Sequence, residues 1–500
     1  MSLVPDHIKA MKPPSSEVQK IKGYYYVYAV KGRYDRETKK SVSERQGCIG
    51  KIYEGVGFVP NKKGQGGSLS ATREYGATRT ILVLTKDLYE KIRRHFPSDF
   101  LRIYILAALK LMEKGLTTRR VYWAYERSAL SLLLPEVHLS KNTVTEFVER
   151  LSLLRGSMVA FMREFQTSEN HSTIFDGTSM LSDSTDNPYC EKGYNPGKKN
   201  KTQVRLIYAF ERETRRPTYC NVVPGSITDV TAFIASFEEL GLKNSVVIVD
   251  NGFFKDANIR KLLAAEDIKF IIPLKNNTAL VNKGYKPFLA YKDVMENNFT
   301  YHNRFVFYRV LGCDKYEGCR IFIFYDMSRN KELEKERIKK AQKLSGGKLS
   351  QSEVSKLRED CEMLGVTMLL SNNGTDAEQI YLDYKARWLI EELFDTMKHT
   401  LSFNMNYETR YETQMGWVFI EFISLQMYYS INRALEETDL YKHYDVGDVL
   451  SYLRIIEQSN CNADGTWKLA NLTKKRKELL ESLGVTLELI SKSPDYLGAG

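Results

Sequence analysis

Four polar side chains with complementary chemistry lie along one edge of a predicted helix. Residues 384–398 read YKARWLIEELFDTMK, which contains no Gly or Pro and predicts an amphipathic helix. At about 100° per residue, the four side chains fall within one arc of about 60°, beside an apolar face that includes Ile390. They are Tyr384, Arg387, Glu391 and Lys398. The carboxylate can bind a metal ion, and the other three groups can hold phosphate oxygens.

The simplest alternative is a solvated salt-bridge edge. Arg387 and Glu391 are four residues apart, so they would pair as neighbours on the helix surface. Charged stripes of this kind are common on helices that have no binding role. The helix alone therefore leaves both interpretations open.

Two aspartates elsewhere in the chain favour the functional interpretation. Asp176 lies in STIFDGTS and Asp250 ends SVVIVD, so each follows a run of apolar residues typical of a buried strand. We expect each carboxylate at the rim of a sheet, where neighbouring carboxylates repel unless cations neutralise them. Oxygen ligands of this kind suit Mg²⁺ or Mn²⁺. Each aspartate alone could also be a cap or turn residue, since DG and DN are turn dipeptides.

With Glu391 as a third carboxylate, the set could hold two metal ions. Two ions about 3.5–4 Å apart form a clamp for in-line displacement at phosphorus. One ion would activate an attacking water or 3′-hydroxyl, and the other would stabilise the leaving oxygen. In that interpretation Arg387 and Lys398 bind phosphate oxygens, and Tyr384 donates a hydrogen bond to a phosphate.

The segments around these residues predict the elements that would position them. From residue 170 the pattern predicts three strands, a helix, a strand, a helix and a strand, an order that suits an α/β domain with a mixed sheet. Residues 281–365 add strand-like segments and a Lys/Glu-rich helical stretch. The apolar segment 417–435 predicts a long helix packed inside the domain. Residues 436–500 are expected to be mostly helical.

The N-terminal residues 1–165 predict a basic α+β unit. Strand-like alternation gives way to helical periodicity from Thr80 to Phe165, with Ser140 as a plausible N-cap. A helix-turn-helix within 119–155 is possible, with LSKNTVTEFVERL as its recognition helix, although many amphipathic helices look alike. We divide the chain where the predicted secondary-structure pattern changes, which gives the regions 1–165, 166–280, 281–365, 366–435 and 436–500.

Composition restricts the class of partner. The net charge of +11 and the pI near 9.0 favour a polyanion, with nucleic acid as the first candidate and an acidic membrane surface as the weaker one. Seven scattered cysteines argue for a reducing cytoplasm rather than a disulfide framework. We find neither a signal-peptide pattern nor a run of 18 apolar residues. The segment GYNPGKK lacks the spacing of a phosphate-binding loop, so we expect no nucleotide cofactor.

Taken together, these motifs resemble bacterial insertion-sequence transposases with a ribonuclease H-like DDE catalytic domain. One subgroup carries the signature Tyr, two residues, Arg, three residues, Glu, six residues, Lys, and residues 384–398 match it without a gap. The segments IFDGTS, PTYCNVVPGSITDV and IVDNGFFKDANIRKLLAAEDIKFIIPLKNN resemble the flanks of the first two acidic residues. The resemblance is clear from about 165 to 435.

The resemblance implies a fold, an activity and a set of site residues. Asp176, Asp250 and Glu391 would bind two Mg²⁺ or Mn²⁺ ions, and Tyr384, Arg387 and Lys398 would contact transposon-end DNA. It also implies a ribonuclease H-like mixed sheet interrupted by a β-rich insertion, which we assign to 281–365. The expected partners are terminal inverted repeats, target DNA and a second copy of the chain in a synaptic dimer, within the bacterial cytoplasm and nucleoid.

Two alternatives to a cut-and-paste transposase stay open. One is a transposase-derived DNA-binding protein that has lost catalysis, and the other is a metal-dependent nuclease that does not transfer strands. Some relatives cut through a DNA hairpin and hold a flipped base with a Trp in the insertion. The four Trp lie at 123, 388, 417 and 467, outside 281–365, so the hairpin route is an expectation from resemblance alone.

Overall fold

The structure is a computed structural model of the 500-residue chain. The part of the chain that it describes consists of residues 4–35, 40–61, 71–133, 137–166, 172–182, 184–192, 201–226, 230–241, 245–265, 268–274, 297–344, 350–362, 364–403, 405–406, 410–460, 467–469 and 472–487.

The chain begins with a four-stranded antiparallel sheet that has its own small core. Its strands follow one another in the order β1-β2-β3-β4. A short helix α1 contributes Ile8 to a buried cluster with Tyr25, Val27 and Ile52, separate from the main core of the molecule. The bounds are α1 Asp6–Ala10, β1 Ser16–Ile21, β2 Tyr24–Asp35, β3 Lys40–Tyr53 and β4 Gly57–Pro60.

A helical layer follows, as the periodicity from Thr80 to Phe165 predicts. Ser140 caps α7, where its hydroxyl accepts the Thr143 N–H. The helix-turn-helix expectation is wrong, because α5 and α7 are separated by residues 128–140 rather than by a turn of three or four residues. The bounds are β5 Ala71–Glu74, α2 Gly76–Leu84, α3 Lys86–His95, α4 Phe100–Met112, a 3₁₀ turn Thr118–Arg120, α5 Val121–Arg127, α6 Leu130–Leu133, α7 Lys141–Ser152 and α8 Arg155–Arg163.

The centre of the molecule is a large mixed sheet. The predicted order of three strands, helix, strand, helix and strand is confirmed, with one added two-residue strand, β7. Pairing joins β9, β8, β6, β10 and β11 side by side, with β6, β8 and β9 antiparallel and β6, β10 and β11 parallel. The bounds are β6 Ser172–Ser182, β7 Glu191–Lys192, β8 Thr202–Glu211, β9 Arg216–Pro224, α9 Val230–Leu240, β10 Ser245–Ile248, a 3₁₀ turn Asn251–Phe253, α10 Asp256–Ala264 and β11 Ile268–Pro273.

The strands expected in an inserted region extend this same sheet. They are β12, β13 and β14, which pair in that order. β14 then pairs with β15, which follows the predicted insertion, and β15 pairs antiparallel with β11 to complete an eleven-stranded sheet. The Lys/Glu-rich stretch is helical, as expected, and its described residues form two helices. The bounds are β12 Asn298–Tyr301, β13 Arg304–Gly312, β14 Arg320–Asp326, α11 Met327–Leu344, α12 Gln351–Glu362 and β15 Val366–Ser371. The five-region division of the chain stays a prediction.

The stretch 384–398 is not the single helix that its sequence predicts. The helix α13 ends at Lys385, α14 begins at Trp388, and a π-helical turn follows, so the side-chain angles calculated for one straight helix do not hold across it. The apolar segment around 417–435 does form one long, largely buried helix, α15. The bounds are α13 Ala377–Lys385, α14 Trp388–Asp395, the π turn Thr396–Thr400, β16 Met405–Asn406 and α15 Tyr411–Glu437.

The C-terminal region contains strands as well as the expected helices. β17 pairs with β5 and with β18, so a three-stranded sheet joins this region to the strand that precedes the N-terminal helical layer. The bounds are a 3₁₀ turn Leu440–Lys442, α16 Val446–Leu453, β17 Glu457–Asn460, β18 Trp467–Leu469 and α17 Lys474–Ser482. Among the residues that the structure describes, no helix has the length and apolar character needed to cross a membrane.

Close packing of α15 against α7 depends on Gly416. A Cβ at this position would lie 2.2 Å from the Val148 carbonyl oxygen, which belongs to the backbone and cannot move aside cheaply. We expect Gly416→Ala to lower the free energy of unfolding by about 1–3 kcal/mol, measured by urea denaturation. The matched control is Gly156→Ala in α8, where a Cβ meets no atom within 4 Å. Equal effects of the two substitutions would contradict this packing.

Candidate active site

The sheet brings Asp176 and Asp250 together. β6 and β10 are parallel, and their last pair is Ile174 with Ile248. Each aspartate lies two residues beyond that pair, so both side chains lie on the same face where β10 ends. The expected strand end at Asp176 is wrong, because β6 continues to Ser182. The neighbouring strand β10 ends at Ile248, so among the described residues Asp176 has no strand partner on that side of β6.

The local environment raises the pKa of the Asp176 carboxyl. Burial raises its pKa to about 6, although the Gly177 N–H and the charges of Arg387 and Arg205 act in the opposite direction. The charge of Asp250 raises this pKa further. One oxygen of Asp176 accepts the Gly177 N–H at 2.7 Å.

Asp250 has a different local role. Its carboxylate accepts the Asn251 N–H and caps the 3₁₀ turn Asn251–Phe253. The cap alternative is therefore right for the backbone around Asp250. The turn alternative is wrong for Asp176, which lies inside an eleven-residue strand.

Helix α14 carries Glu391 to the same place. Ile390 and Leu393 are fully buried beneath the helix. Phe394 packs edge-on against Tyr208, with ring centroids 6.0 Å apart, and Tyr208 is the strand partner of Asp176. Glu391 therefore stands on a helix that is fixed against the strands of Asp176, with its own carboxylate exposed to solvent.

Arg387 connects two of the three carboxylates. Its guanidinium donates to Asp250 Oδ1 at 3.0 Å and to Glu391 Oε1 at 2.6 Å. The predicted Arg387–Glu391 salt bridge is thus confirmed, but it extends to Asp250, 137 residues away in the chain. Burial disfavours the charge on Arg387, but Glu391, Asp250 and Asp176 outweigh that effect and raise its pKa.

The other two signature residues lie on either side of this pair. Tyr384 is half-buried at the end of α13, and burial raises the pKa of its phenol, as do the nearby charges of Asp250 and Glu391, against the opposite effect of Arg387. Lys398 lies two turns beyond Glu391, in the π turn, with its ammonium 5.9 Å from the Phe394 ring centroid. The structure thus gathers Tyr384, Arg387 and Glu391 around the aspartates and places Lys398 at the far end of the helix.

Two arginines that the sequence did not single out help to build this site. Arg212, in the β8–β9 turn, forms an ion pair with the buried Asp383 and fixes α13 to the sheet. Arg205 lies against Gly177, where a Cβ would come within 2.5 Å of its Nε. Arg212 sits in the charged turn ERETRRP, whose sequence carries no signal of a buried partner, whereas the glycine after Asp176 does signal a close approach.

The donor set fits a hard divalent cation by its chemistry. Asp176, Asp250 and Glu391 offer only carboxylate oxygens, the ligands that Mg²⁺ and Mn²⁺ prefer. In the described part of the chain, no three His, Cys, Asp or Glu side chains lie close enough together to hold a metal ion. Arg387 occupies the position of counter-ion between Asp250 and Glu391. A divalent cation bound by Asp250 or Glu391 would therefore compete with Arg387 for these carboxylates.

The raised pKa of Asp176 predicts a pH dependence of stability. Between its ordinary value of 3.8 and about 6, the folded chain binds more protons at this carboxyl than the unfolded chain, so stability falls as pH rises through this window. Asp176→Asn removes the titrating group. We measure the free energy of unfolding by urea denaturation at pH 4 and at pH 7. Between these two pH values we expect it to fall by about 1–3 kcal/mol more in the wild type than in the variant. Equal losses would contradict the raised pKa.

Competition at the carboxylates predicts the effect of Arg387→Gln. Without metal, the variant leaves acidic groups uncompensated, and we expect its free energy of unfolding to fall by about 1–3 kcal/mol. Added Mn²⁺ should raise the melting temperature of the variant more than that of the wild type. The control is Arg433→Gln, an exposed arginine paired with Glu437 at 3.0 Å on α15. If Mn²⁺ stabilises all three proteins equally, Arg387 and the cation do not compete.

Comparison with known proteins assigns the chain to a family. The Transposase DDE domain family matches residues 171–427, which is more than half of the chain. No curated protein sequence matches the chain. A solved structure similar to it is the cryo-EM structure of the piggyBac transposase synaptic complex with hairpin DNA, at 10% identity and a TM-score of 0.37, over 85% of this chain and 88% of that one. The matched residues contain both aspartates, Arg387 and Glu391, and by that match the chain belongs to the DDE transposase family.

Proposed function

We propose that this chain is a cut-and-paste DNA transposase, of the bacterial insertion-sequence subgroup whose signature it matches. The observation that carries the proposal is the bridge from Arg387 to Asp250 and Glu391. It joins a strand-end aspartate to the signature helix across 137 residues, beside the second aspartate. A solvated surface stripe would have no reason to reach the end of β10.

We propose a ribonuclease H-like core for the part of the sheet formed by β6 and β8–β11. Three antiparallel strands continued by two parallel ones support this assignment. We keep the predicted division as part of the proposal: 1–165 would bind DNA, 166–280 and 366–435 would form the catalytic domain, 281–365 would be an insertion and 436–500 a C-terminal region.

Asp176, Asp250 and Glu391 would hold two Mg²⁺ or Mn²⁺ ions. When bound, such ions lower the pKa of a coordinated water or hydroxyl and offset the charge that develops on phosphate oxygens. The chain contributes a fixed frame for them: Asp176 on a central strand, Asp250 at a capped turn and Glu391 on a helix buried along one side. Because the pKa of Asp176 is raised to about 6, metal binding below that pH would have to displace a proton from this carboxyl.

Tyr384, Arg387 and Lys398 would bind the DNA backbone next to the carboxylates. A guanidinium and an ammonium attract phosphate oxygens, and the phenol donates a hydrogen bond. The partners would be terminal inverted repeats and target DNA, with two chains in the synaptic complex. The reaction is hydrolysis of one strand to release a 3′-hydroxyl, followed by attack of that hydroxyl on target DNA. It would take place at the nucleoid, in the bacterial cytoplasm.

Substitution of Glu391 tests the catalytic assignment. With a labelled duplex carrying the element's own terminal repeat and Mg²⁺, we expect the wild type to cut at the repeat boundary. Glu391→Gln should cut at least about 100-fold more slowly and still bind, because the fold around it rests on Ile390 and Leu393. The matched control is Glu392→Gln, the next residue, which lines a different cavity beside Tyr428 and Arg433.

The alternatives give different products in the same assay. Binding without cutting by the wild type, with Mn²⁺ and paired ends also tried, would indicate a catalytically silent DNA-binding protein. Cutting without joined product would indicate a nuclease that does not transfer strands. Equal cutting by wild type and Glu391→Gln would overturn the catalytic assignment.

A further inference from the structure

The outer face of the N-terminal sheet carries a row of tyrosines. Tyr25 and Val27 of β2 point into the small core with Ile8 and Ile52. Because side chains alternate along a strand, Tyr24 and Tyr26 lie on the opposite face. Tyr24 is 55% exposed, and Tyr53 on β3, which lies beside it, is 42% exposed. Apolar rings on a solvent-facing sheet are unusual unless they meet a partner.

Cations are placed among these rings. Lys51 Nζ lies 5.3 Å from the Tyr24 ring centroid and 4.8 Å from that of Tyr26. Arg45 lies 5.0 Å from the ring of Tyr28, further along the same strand. Arg45 also donates a hydrogen bond to Glu17 at 2.9 Å. Lys51 has no carboxylate partner among the ion pairs of the described residues, and its ammonium lies over the two rings.

We propose that this face, formed by Tyr24, Tyr26, Tyr28, Tyr53, Arg45 and Lys51, binds the backbone of duplex DNA. The proposal rests on the DNA-binding part of the proposed function and adds a surface to it. Lysine ammonium groups, arginine guanidinium groups and tyrosine hydroxyls commonly contact DNA phosphates. The described residues of this sheet and its helix, 4–35 and 40–61, contain nine Lys and Arg against five Asp and Glu. That balance complements a polyanion.

The geometry favours duplex backbone over stacked single-stranded bases. A base that stacked on Tyr24 or Tyr26 would have to displace Lys51 from the ring face. Phosphates can instead meet the ammonium and the phenol hydroxyls together. From Tyr24 to Tyr28 the strand runs about 13 Å, roughly four base steps of one DNA strand.

The test measures the salt dependence of DNA binding by the full chain. The probe is a fluorescent 30-base-pair duplex of mixed sequence, with its single strand as a second probe, and the Kd is followed by anisotropy. We expect Lys51→Gln to lower the slope of log Kd against log salt by about 0.9, the value for one lost phosphate contact. The pair Tyr24→Phe with Tyr53→Phe keeps the rings and should raise the Kd several-fold. Lys474→Gln, at a 90% exposed lysine on α17, is the matched control.

Each outcome decides the proposal. A lower slope for Lys51→Gln than for Lys474→Gln, together with weaker binding by the tyrosine variant, supports it. Equal slopes for the two lysine variants overturn it, as does tighter binding of the single strand than of the duplex. Repeat-boundary cutting by the wild type is measured separately, so the loss of this surface assignment and the loss of the transposase assignment are distinguishable.

Discussion

The bridge of Arg387 to Asp250 and Glu391, beside Asp176, is the interaction on which the site depends. Asp176 and Asp250 lie side by side because β6 and β10 share one register, and Glu391 approaches on α14. Neighbouring carboxylates disfavour each other's charge, and a positive charge between them offsets that effect. In this conformation Arg387 supplies that charge to Asp250 and Glu391. The same need for a counter-charge is what would make the site a good receptor for divalent metal ions.

The rest of the fold positions these groups. Ile390, Leu393 and Phe394 fix α14 to the sheet, and the pair of Arg212 with Asp383 fixes α13. The long helix α15 supports the core, and Gly416 allows it to approach α7 closely. The positions of Tyr384, Arg387 and Glu391 therefore depend on packing contacts that cannot be inferred from the spacing of these residues in the sequence.

Much of the central sheet could be predicted from sequence because its strands are short apolar runs between polar turns. The order of strands and helices from residue 172 to 273 follows the pattern. The strand end before Asp250 could be predicted, whereas the continuation of β6 past Asp176 could not. The break at residues 386–387 could not be predicted, because 384–398 contains no Gly or Pro and reads as continuous helix. The pairing of β17 with β5, and of β15 with β11, links segments far apart in sequence, and local periodicity carries no information about such contacts. The link from Arg387 to Asp250 was hidden for the same reason.

The most direct measurement is the number of Mn²⁺ ions bound per chain, counted by electron paramagnetic resonance in the presence of terminal-repeat duplex. The wild type is compared with Asp250→Asn, and the duplex alone is subtracted. We expect up to two saturable ions per chain in the wild type and the loss of saturable binding in the variant. Equal binding by the two proteins would contradict the assignment of these carboxylates as the metal site.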